Sequence, residues 1–354
     1  MSDARQNVEA VRLIAGSPAM SHRLKTILPL CVAVPLLLAL LERLEWTTTM
    51  PLHPQSEKFL RQIAELNVAP VHEISVDEAR RQMAPIDRPR VEMSNVVDRS
   101  IPSAEADIPV RIFTPNVSDD SSVRGIVYYH GGGWVVGDLD THDGLCRQLA
   151  HRSQAVVIAV DYRLAPEHPF PAAANDAFTA LQWVCAQRDE LSIDGPIAVA
   201  GDSAGGNLAA VSALRAREDE TASVDYQMLI YPIVDCDLDS SSYVEYGEGY
   251  FLTRDSMRWF WEQYVGERAW SHPHAAPLRA ESLRELPSAF VLTAEFDPLR
   301  TEGELYAQRL AAEGVDVTLV QADGMLHGFL RRTDYFDASL PMIEKMCRAF
   351  RDAT

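Results

Sequence analysis

The feature that most constrains the fold is a regular alternation of short apolar runs and longer helical patterns. The runs are rich in Val, Ile and aromatic residues and read GIVYY, AVVIAVD, IAVAG, YQMLIYP, AFVLTAE and DVTLVQA. Continuous apolar runs of this length are typical of strands that are covered on both faces. Helical stretches such as AANDAFTALQWVCAQ and NLAAVSALRARE lie between them. This alternation predicts an α/β fold with a mostly parallel sheet and helices on both faces.

Weaker patterns precede this region. HPQSEKFLRQIAEL has apolar residues at helical spacing, with Ser56 as its expected N-cap. A second short helix is predicted around residues 76–83. DIPVRIFTP alternates like a half-buried strand, and we expect it to pair with the segment near Val96.

The region between Tyr231 and Leu283 interrupts the alternation because it contains no strand pattern over about 50 residues. Met257, Phe260 and Trp261 recur there at helical spacing. Because loops of this length rarely lack secondary structure, an inserted helix or two is predicted.

Composition excludes several classes of protein. Among 354 residues, 47% are hydrophobic, which is too many for a disordered chain. Lys and Arg number 32 against 51 acidic residues, so the formal net charge is −19. This balance argues against nucleic-acid binding and against a stable membrane partner, because both reward basic surfaces. The cysteines are odd in number and scattered, which indicates neither a disulfide framework nor a zinc site and favours a reducing compartment: Cys31, Cys146, Cys185, Cys236 and Cys347.

Residues 1–49 leave three interpretations open because they contain the apolar run ILPLCVAVPLLLALL at residues 27–41. The run is short for a membrane span and holds two prolines, and no small-x-small cleavage site follows it. It is a signal or anchor, an additional helix, or an extension upstream of a start at Met50. We expect a cytoplasmic protein if the chain starts at Met50. An exported or membrane-associated protein is the alternative if residues 1–49 are genuine.

The motif Gly201-x-Ser203-x-Gly205 predicts a nucleophile. It lies between the predicted strand IAVAG and the helix that follows. In that context, G-x-S-x-G forms a sharp turn that exposes its central serine. The positive end of the helix dipole then lies near the Ser203 side chain.

The partners that activate this serine should follow it in the order acid, then histidine. His272, His274 and His327 lie beyond Ser203, and only His327 follows a late strand pattern. Asp297 lies just after the run AFVLTAE, at the carboxyl end of a strand, where the active groups of such sheets gather. Glu295 is the neighbouring alternative for the acid.

The glycine run in YYHGGGWVVGD predicts an oxyanion hole. Backbone N–H groups can approach a tetrahedral intermediate closely where no side chain intervenes. The predicted donors are Gly131 and Gly132, together with Ala204, which follows the nucleophile. His130 and Asp202 are interpreted as supports for their loops. Arg163 and Glu167, within DYRLAPEHPFPAA, are interpreted in the same way.

Taken in order, HGGGW, DYRLAPEHPFPAA, GDSAGGNL, EFDPLR and DGMLHGF resemble the hormone-sensitive-lipase-like (bacterial family IV) esterases of the α/β-hydrolase superfamily. The resemblance places the nucleophile, acid and base on Ser203, Asp297 and His327, and the oxyanion donors on Gly131, Gly132 and Ala204. It implies a helical cap from residues 50–92 and 235–270 over a catalytic core of residues 93–234 and 271–354. Residues 1–49 have no counterpart in the family pattern.

These observations predict a serine carboxylic-ester hydrolase that acts without cofactor or metal through an acyl-enzyme. The resemblance implies short- to medium-chain acyl esters. The alternatives are an amidase or deacylase with the same triad, and a non-hydrolytic ligand receptor on this fold. The expected partner is a small-molecule ester, and a homo-oligomer is compatible with the sequence. Aromatic residues of the insertion and of the glycine loop are the predicted pocket: Trp134, Tyr250, Phe251, Trp259 and Trp261.

Overall fold

The computed structural model describes residues 51–83, 90–116, 123–266 and 270–353. The apolar run at residues 27–41, and with it every interpretation of residues 1–49, lies outside this part of the chain. None of the helices within the described residues is both long enough and apolar enough to cross a membrane.

An eight-stranded sheet organises the described residues, in the order β1-β2-β4-β3-β5-β6-β7-β8. β1 and β2 pair antiparallel, as do β2 and β4, and the remaining pairs are parallel. The six apolar runs are β3 to β8, which confirms the predicted α/β sheet. Val96 pairs with Phe113, as expected for the first hairpin. The strands are β1 (Asn95–Ile101), β2 (Ile108–Thr114), β3 (Arg124–Tyr129), β4 (Ala155–Val160), β5 (Ile197–Asp202), β6 (Tyr226–Ile230), β7 (Ser288–Phe296) and β8 (Val317–Leu326).

Helices cover both faces of the sheet, as the burial of alternate strand residues requires. On β3, Val127 and Tyr129 face one core, and Ile126 and Tyr128 face the other. The first core includes α4, α5 and α8, and the second includes α3 and α9. The helices are α1 (Pro54–Leu66), α2 (Val76–Gln82), α3 (Leu139–Ser153), α4 (Ala172–Ala186), α5 (Ala204–Glu218), α6 (Ser241–Tyr246), α7 (Arg254–Val265), α8 (Arg300–Ala312) and α9 (Ser339–Ala353).

The inserted region contains the two helices α6 and α7, so the prediction of helical structure there is confirmed. Its contacts with residues 51–83 include two between side chains. The rings of Phe59 and Phe251 meet edge to face at 5.3 Å, and His72 Nδ1 lies 3.4 Å from Ser256 Oγ.

The N-cap expected at Ser56 is wrong. His53 caps α1 by accepting the N–H of Gln55 at 3.2 Å, because Pro54 occupies the first helical position. Ser56 lies inside the first turn, where its hydroxyl donates to the carbonyl oxygen of Gly324 at 2.8 Å. The serine therefore joins α1 to β8.

Candidate active site

Ser203 lies in a sharp turn between β5 and α5, with φ 57° and ψ −118°. This left-handed backbone is strained for a residue with a side chain. A Cβ atom at Gly205 would overlap with the carbonyl of Tyr129 at the end of β3, and one at Gly201 would overlap with the Gly205 backbone. Both flanking glycines are therefore required by the close approach of neighbouring backbone.

His327 and Asp297 stand in line with this serine. His327 Nε2 lies 3.0 Å from Ser203 Oγ, and His327 Nδ1 lies 2.7 Å from Asp297 Oδ2. Asp297 Oδ1 accepts the N–H of Leu299 at 2.9 Å, which fixes the carboxylate. Asp297 is 0% exposed, while Ser203 and His327 are 8% and 9% exposed. The acid is thus fully sheltered, and the serine and histidine retain a narrow opening to solvent.

The alternative acid and bases lie elsewhere. Glu295 Oε2 accepts the N–H of Gly324 at 2.6 Å, so this carboxylate holds the end of β8 that leads to His327. His272 packs against the ring of Phe170 at 5.2 Å and accepts the N–H of His274 at 3.0 Å.

The glycine loop requires a correction at Gly131. Its N–H donates to Asp202 Oδ1 at 2.9 Å, so this group is already bonded and is not free to bind an oxyanion. Gly132 and Gly133 have φ values of +126° and +58°. In the described part of the chain, the N–H groups of Gly132, Gly133 and Ala204 donate to no protein acceptor. The sequence alone does not show which N–H groups of a glycine run are already bonded.

A buried carboxylate anchors this loop from below. Besides Gly131, Asp202 Oδ1 accepts the hydroxyl of Tyr128 at 2.5 Å and lies 3.4 Å from His142 Nε2. Burial alone would raise the pKa of Asp202, but nearby His142 and the hydrogen bond from Tyr128 hold it well below its ordinary value. Asp202 is therefore ionised, and it supports its loop as the sequence predicts.

His130 supports the same loop as a neutral ring. Burial, together with a smaller effect of nearby His142, lowers the pKa of His130 to about 4. Its Nδ1 lies 2.9 Å from the carbonyl oxygen of Gly131, so Nδ1 carries the proton and donates. Tyr162 stacks on this ring at 4.3 Å and donates its hydroxyl to the His130 carbonyl at 2.7 Å.

The structure separates the five predicted pocket aromatics into two groups. Trp134 and Trp261 have no exposed surface, so their assignment to the pocket is wrong. Trp134 stacks on Tyr264 at 4.2 Å, and neither ring has exposed surface, so both belong to the core. Phe251 is 43% exposed and packs near Gly328, beside His327. Tyr250 and Trp259 are half-buried.

Two aromatic residues near the site escaped the sequence interpretation. The ring of Tyr231 lies 4.7 Å from that of His327, and Phe260 occupies the space that a Gly133 side chain would fill. Tyr231 follows β6 at its carboxyl end, so its place along the chain was a usable signal. Phe260 offered no such signal, because its contact with Gly133 is made only by folding.

Glu302 is a buried carboxylate next to the site that supports the loop after β6. Its Oε1 accepts the N–H of Val234 at 2.7 Å and that of Asp235 at 3.2 Å, while Oε2 has no partner within the described residues. Burial raises the pKa of Glu302 well above its ordinary value. The folded protein therefore holds this proton more tightly than the unfolded chain does.

This difference predicts a pH-dependent effect of Glu302→Gln on stability. Below the ordinary carboxyl pKa both states are protonated, and the variant should match the wild type. As pH rises, the unfolded chain loses the proton first, so wild-type stability falls by up to about 1.4 kcal/mol per pH unit. Thermal unfolding from pH 4 to 8 should show that the stability of the variant increases relative to that of the wild type as pH rises. A constant difference across this range would contradict the burial of a protonated Glu302.

Among the described residues, no group of three or more His, Cys, Asp or Glu side chains could hold a metal ion.

Comparison with known proteins matches residues 126–331 to the family model of the alpha/beta hydrolase fold. Esterase LipI of Mycobacterium tuberculosis is 44% identical over 239 residues, which cover 66% of this chain and 75% of the relative. An arylesterase of Saccharolobus solfataricus is 36% identical over 287 residues, which cover 79% of this chain and 93% of the relative. The structure of a hyperthermophilic esterase from Pyrobaculum calidifontis superposes with a TM-score of 0.79 at 40% identity, covering 86% of this chain and 99% of that one.

Proposed function

This chain belongs to the hormone-sensitive-lipase-like esterases of the α/β-hydrolase fold and is a carboxylesterase-like serine hydrolase; from that premise we propose that it cleaves short- to medium-chain acyl esters through a Ser203 acyl-enzyme. The observation that carries the proposal is the hydrogen-bonded line from Ser203 through His327 to Asp297. A serine hydroxyl gains reactivity only when a base takes its proton, and His327 Nε2 is within reach to do so.

In the first half-reaction, Ser203 Oγ attacks the ester carbonyl carbon while its proton passes to His327 Nε2. The tetrahedral intermediate collapses when the bond to the alcohol oxygen breaks and His327 returns that proton to the leaving alcohol. Water then attacks the acyl-enzyme by the same route and releases the acid. Asp297 holds His327 Nδ1–H and stabilises the imidazolium that forms in each half-reaction.

The proposed oxyanion donors are the N–H groups of Gly132, Gly133 and Ala204. Their lack of protein acceptors within the described residues supports this assignment, as does the place of Ala204 at the first turn of α5. Loss of one such donor typically costs about 100- to 1,000-fold in turnover. Gly131 and Asp202 hold the loop from below and do not contact the substrate.

The substrate side of the proposal concerns the cap. We assign residues 50–92 and 235–270 to a helical cap, and residues 93–234 and 271–354 to the catalytic core. The contacts of Phe59 with Phe251 and of His72 with Ser256 support one cap built from both segments. Phe251, Tyr250 and Trp259 keep exposed apolar surface, and we assign them to the wall that receives the acyl chain.

The free thiols and the net charge bear on the cellular location and on the kind of substrate of the proposed enzyme. Cys146, Cys185, Cys236 and Cys347 are free, which supports a reducing, cytoplasmic location. The net charge of −19 supports a small neutral ester as the partner in preference to nucleic acid or an anionic membrane. A homo-oligomer is compatible with both features.

A series of chromogenic p-nitrophenyl esters from acetate to dodecanoate tests this proposal. We expect turnover of the short and medium chains, with a decline for the longest. Trp259→Ala should lower kcat/KM for octanoate about 10-fold and leave acetate nearly unchanged, because one apolar contact is worth about 1–3 kcal/mol. Trp183→Ala, on α4 outside the cap, is the matched control and should not change the ratio of the two esters.

Two outcomes would count against the proposal. Turnover of anilides without turnover of any ester would favour the amidase alternative. Equal losses for acetate and octanoate in Trp259→Ala would show that Trp259 is part of the scaffold and does not contact the acyl chain.

A further inference from the structure

Arg80 of α2 joins the N-terminal helices to two loops of the core, the glycine loop after β3 and the loop after β4. Its Nε donates to the carbonyl oxygen of Val135 at 3.0 Å, and its Nη2 donates to that of Ala165 at 3.1 Å. The carboxylate of Glu167 accepts from Nη1 at 2.8 Å and from Nη2 at 2.6 Å. One guanidinium thus holds two backbone carbonyls and one carboxylate.

The first of these carbonyls, that of Val135, belongs to the glycine loop. The N–H groups of Val135 and Val136 both donate to the carbonyl oxygen of Gly132, at 3.1 and 3.0 Å. A Cβ atom at Gly132 would overlap with the carbonyl of Val136, so the turn is closed tightly on itself. The residue that Arg80 binds, Val135, is therefore one of the two whose N–H groups fix the peptide between Gly132 and Gly133.

The second carbonyl closes a ring of hydrogen bonds with the first. The N–H of Ala165 donates to the carbonyl oxygen of Trp134 at 2.9 Å, next to Val135 in the chain. Ala165 in turn offers its own carbonyl to Arg80. The loop 131–136 is consequently held at two places. Arg80 and Ala165 bind its last residues, and Asp202 binds Gly131 at its start.

Arginine is the residue type that this arrangement requires. Its planar fork presents several fixed donors, whereas a lysine ammonium is a compact charge that cannot reach three acceptors in one plane. Hydrogen bonding to Arg80 lowers the pKa of Glu167 to about 2, so the carboxylate stays ionised across the neutral range. α2 has seven residues, with Ala79 buried and Val76 partly buried against the core, so the polar link of Arg80 adds to a small apolar contact.

We propose that Arg80 is a positioning residue. It links the packing of the N-terminal helices on the core to the orientation of the Gly132 and Gly133 N–H groups. The inference rests on the proposed function, since it assumes that these groups bind the oxyanion. Arg80 touches no reacting atom. It acts by keeping the donors where the tetrahedral intermediate forms, so its loss affects the transition state more than the bound substrate.

The test compares Arg80→Gln and Arg80→Lys with the wild type in hydrolysis of p-nitrophenyl acetate and in binding of a trifluoromethyl ketone, which mimics the tetrahedral intermediate. We expect kcat to fall about 10- to 100-fold, because a misplacement near 1 Å can cost 100-fold. KM should stay within about threefold, and the ketone should bind more weakly by the factor lost in kcat/KM. Millimolar ethylguanidine, which matches the atoms that Arg80→Ala removes beyond Cβ, should restore part of the turnover of Arg80→Ala.

Two control variants separate positioning from charge and from stability. Arg81→Gln removes the same charge from the next, exposed position of α2 and should behave as the wild type. Glu167→Gln leaves both carbonyl bonds to Arg80 in place and should keep most of the turnover. Thermal unfolding of every variant gives the folded fraction by which each kcat is corrected.

The outcomes distinguish this inference from the function on which it rests. If the wild type hydrolyses esters and Arg80→Gln matches it per folded molecule, the inference is refuted and the proposed function stands. A rise in KM at unchanged kcat would also refute it, because this would place Arg80 in substrate binding. A wild type without ester turnover refutes the proposed function and this inference with it.

Discussion

Replacement of Ser203 by alanine is expected to lower kcat for ester hydrolysis by about a million-fold, as nucleophile removal does in other serine hydrolases. The variant lacks the only atom that can form the acyl-enzyme, while its neighbours keep their hydrogen bonds. The melting temperature should remain close to that of the wild type, since one hydroxyl with a single partner, His327, is removed. Ester turnover and thermal unfolding, measured on the same preparation, check both halves of this prediction.

Covalent labelling provides the direct readout for Ser203. An aryl phosphonate should modify the wild type at one site, found by peptide mass mapping at Ser203, and should leave Ser203→Ala unmodified. Ser153→Ala is the matched control, because Ser153 is a buried serine of α3 whose hydroxyl donates to Leu149. It should retain full turnover and full labelling. Substantial ester turnover by Ser203→Ala would refute the acyl-enzyme mechanism.

Asp297→Asn is expected to lower kcat about 10,000-fold, a loss of the kind seen when a triad carboxylate becomes an amide. The amide can donate to His327 Nδ1, which moves the imidazole proton to Nε2 and leaves no acceptor for the Ser203 proton. The shape of the site should persist, because Asn still offers an oxygen to the N–H of Leu299. KM should therefore change much less than kcat.

Glu295→Gln is the matched test of the acid, since the sequence left both carboxylates open. Glu295 bonds to the N–H of Gly324, which glutamine can also accept, so we expect less than a tenfold loss. A larger loss for Glu295→Gln than for Asp297→Asn would reverse the assignment of the acid. Equal and small losses would show that His327 is oriented by another group.

The strands and the sharp turn at Ser203 were predictable because their signals are local. Apolar runs such as AVVIAVD identify strands covered on both faces, and all six proved to be strands of the sheet. The spacing Gly201-x-Ser203-x-Gly205 reflects the close approach of backbone within and beside one turn. The predicted N-cap of α1, Ser56, lies three residues beyond the observed one, His53, because serine is the stronger general signal although Pro54 marks the first helical position.

The sequence by itself determined where the strands lie along the chain, the turn at Ser203 and the positions along the chain of Asp297 and His327, since each depends on neighbours within a few residues. Only the tertiary structure decided which groups meet. Gly131 is bonded to a carboxylate 71 residues away, and Arg80 reaches carbonyls that lie 55 and 85 residues away. Trp134 and Trp261 are core residues only because packing removes all of their surface from water. Hydrogen-bond partners and burial arise when distant segments compete for the same donors and the same space, and no pattern along the chain records that competition.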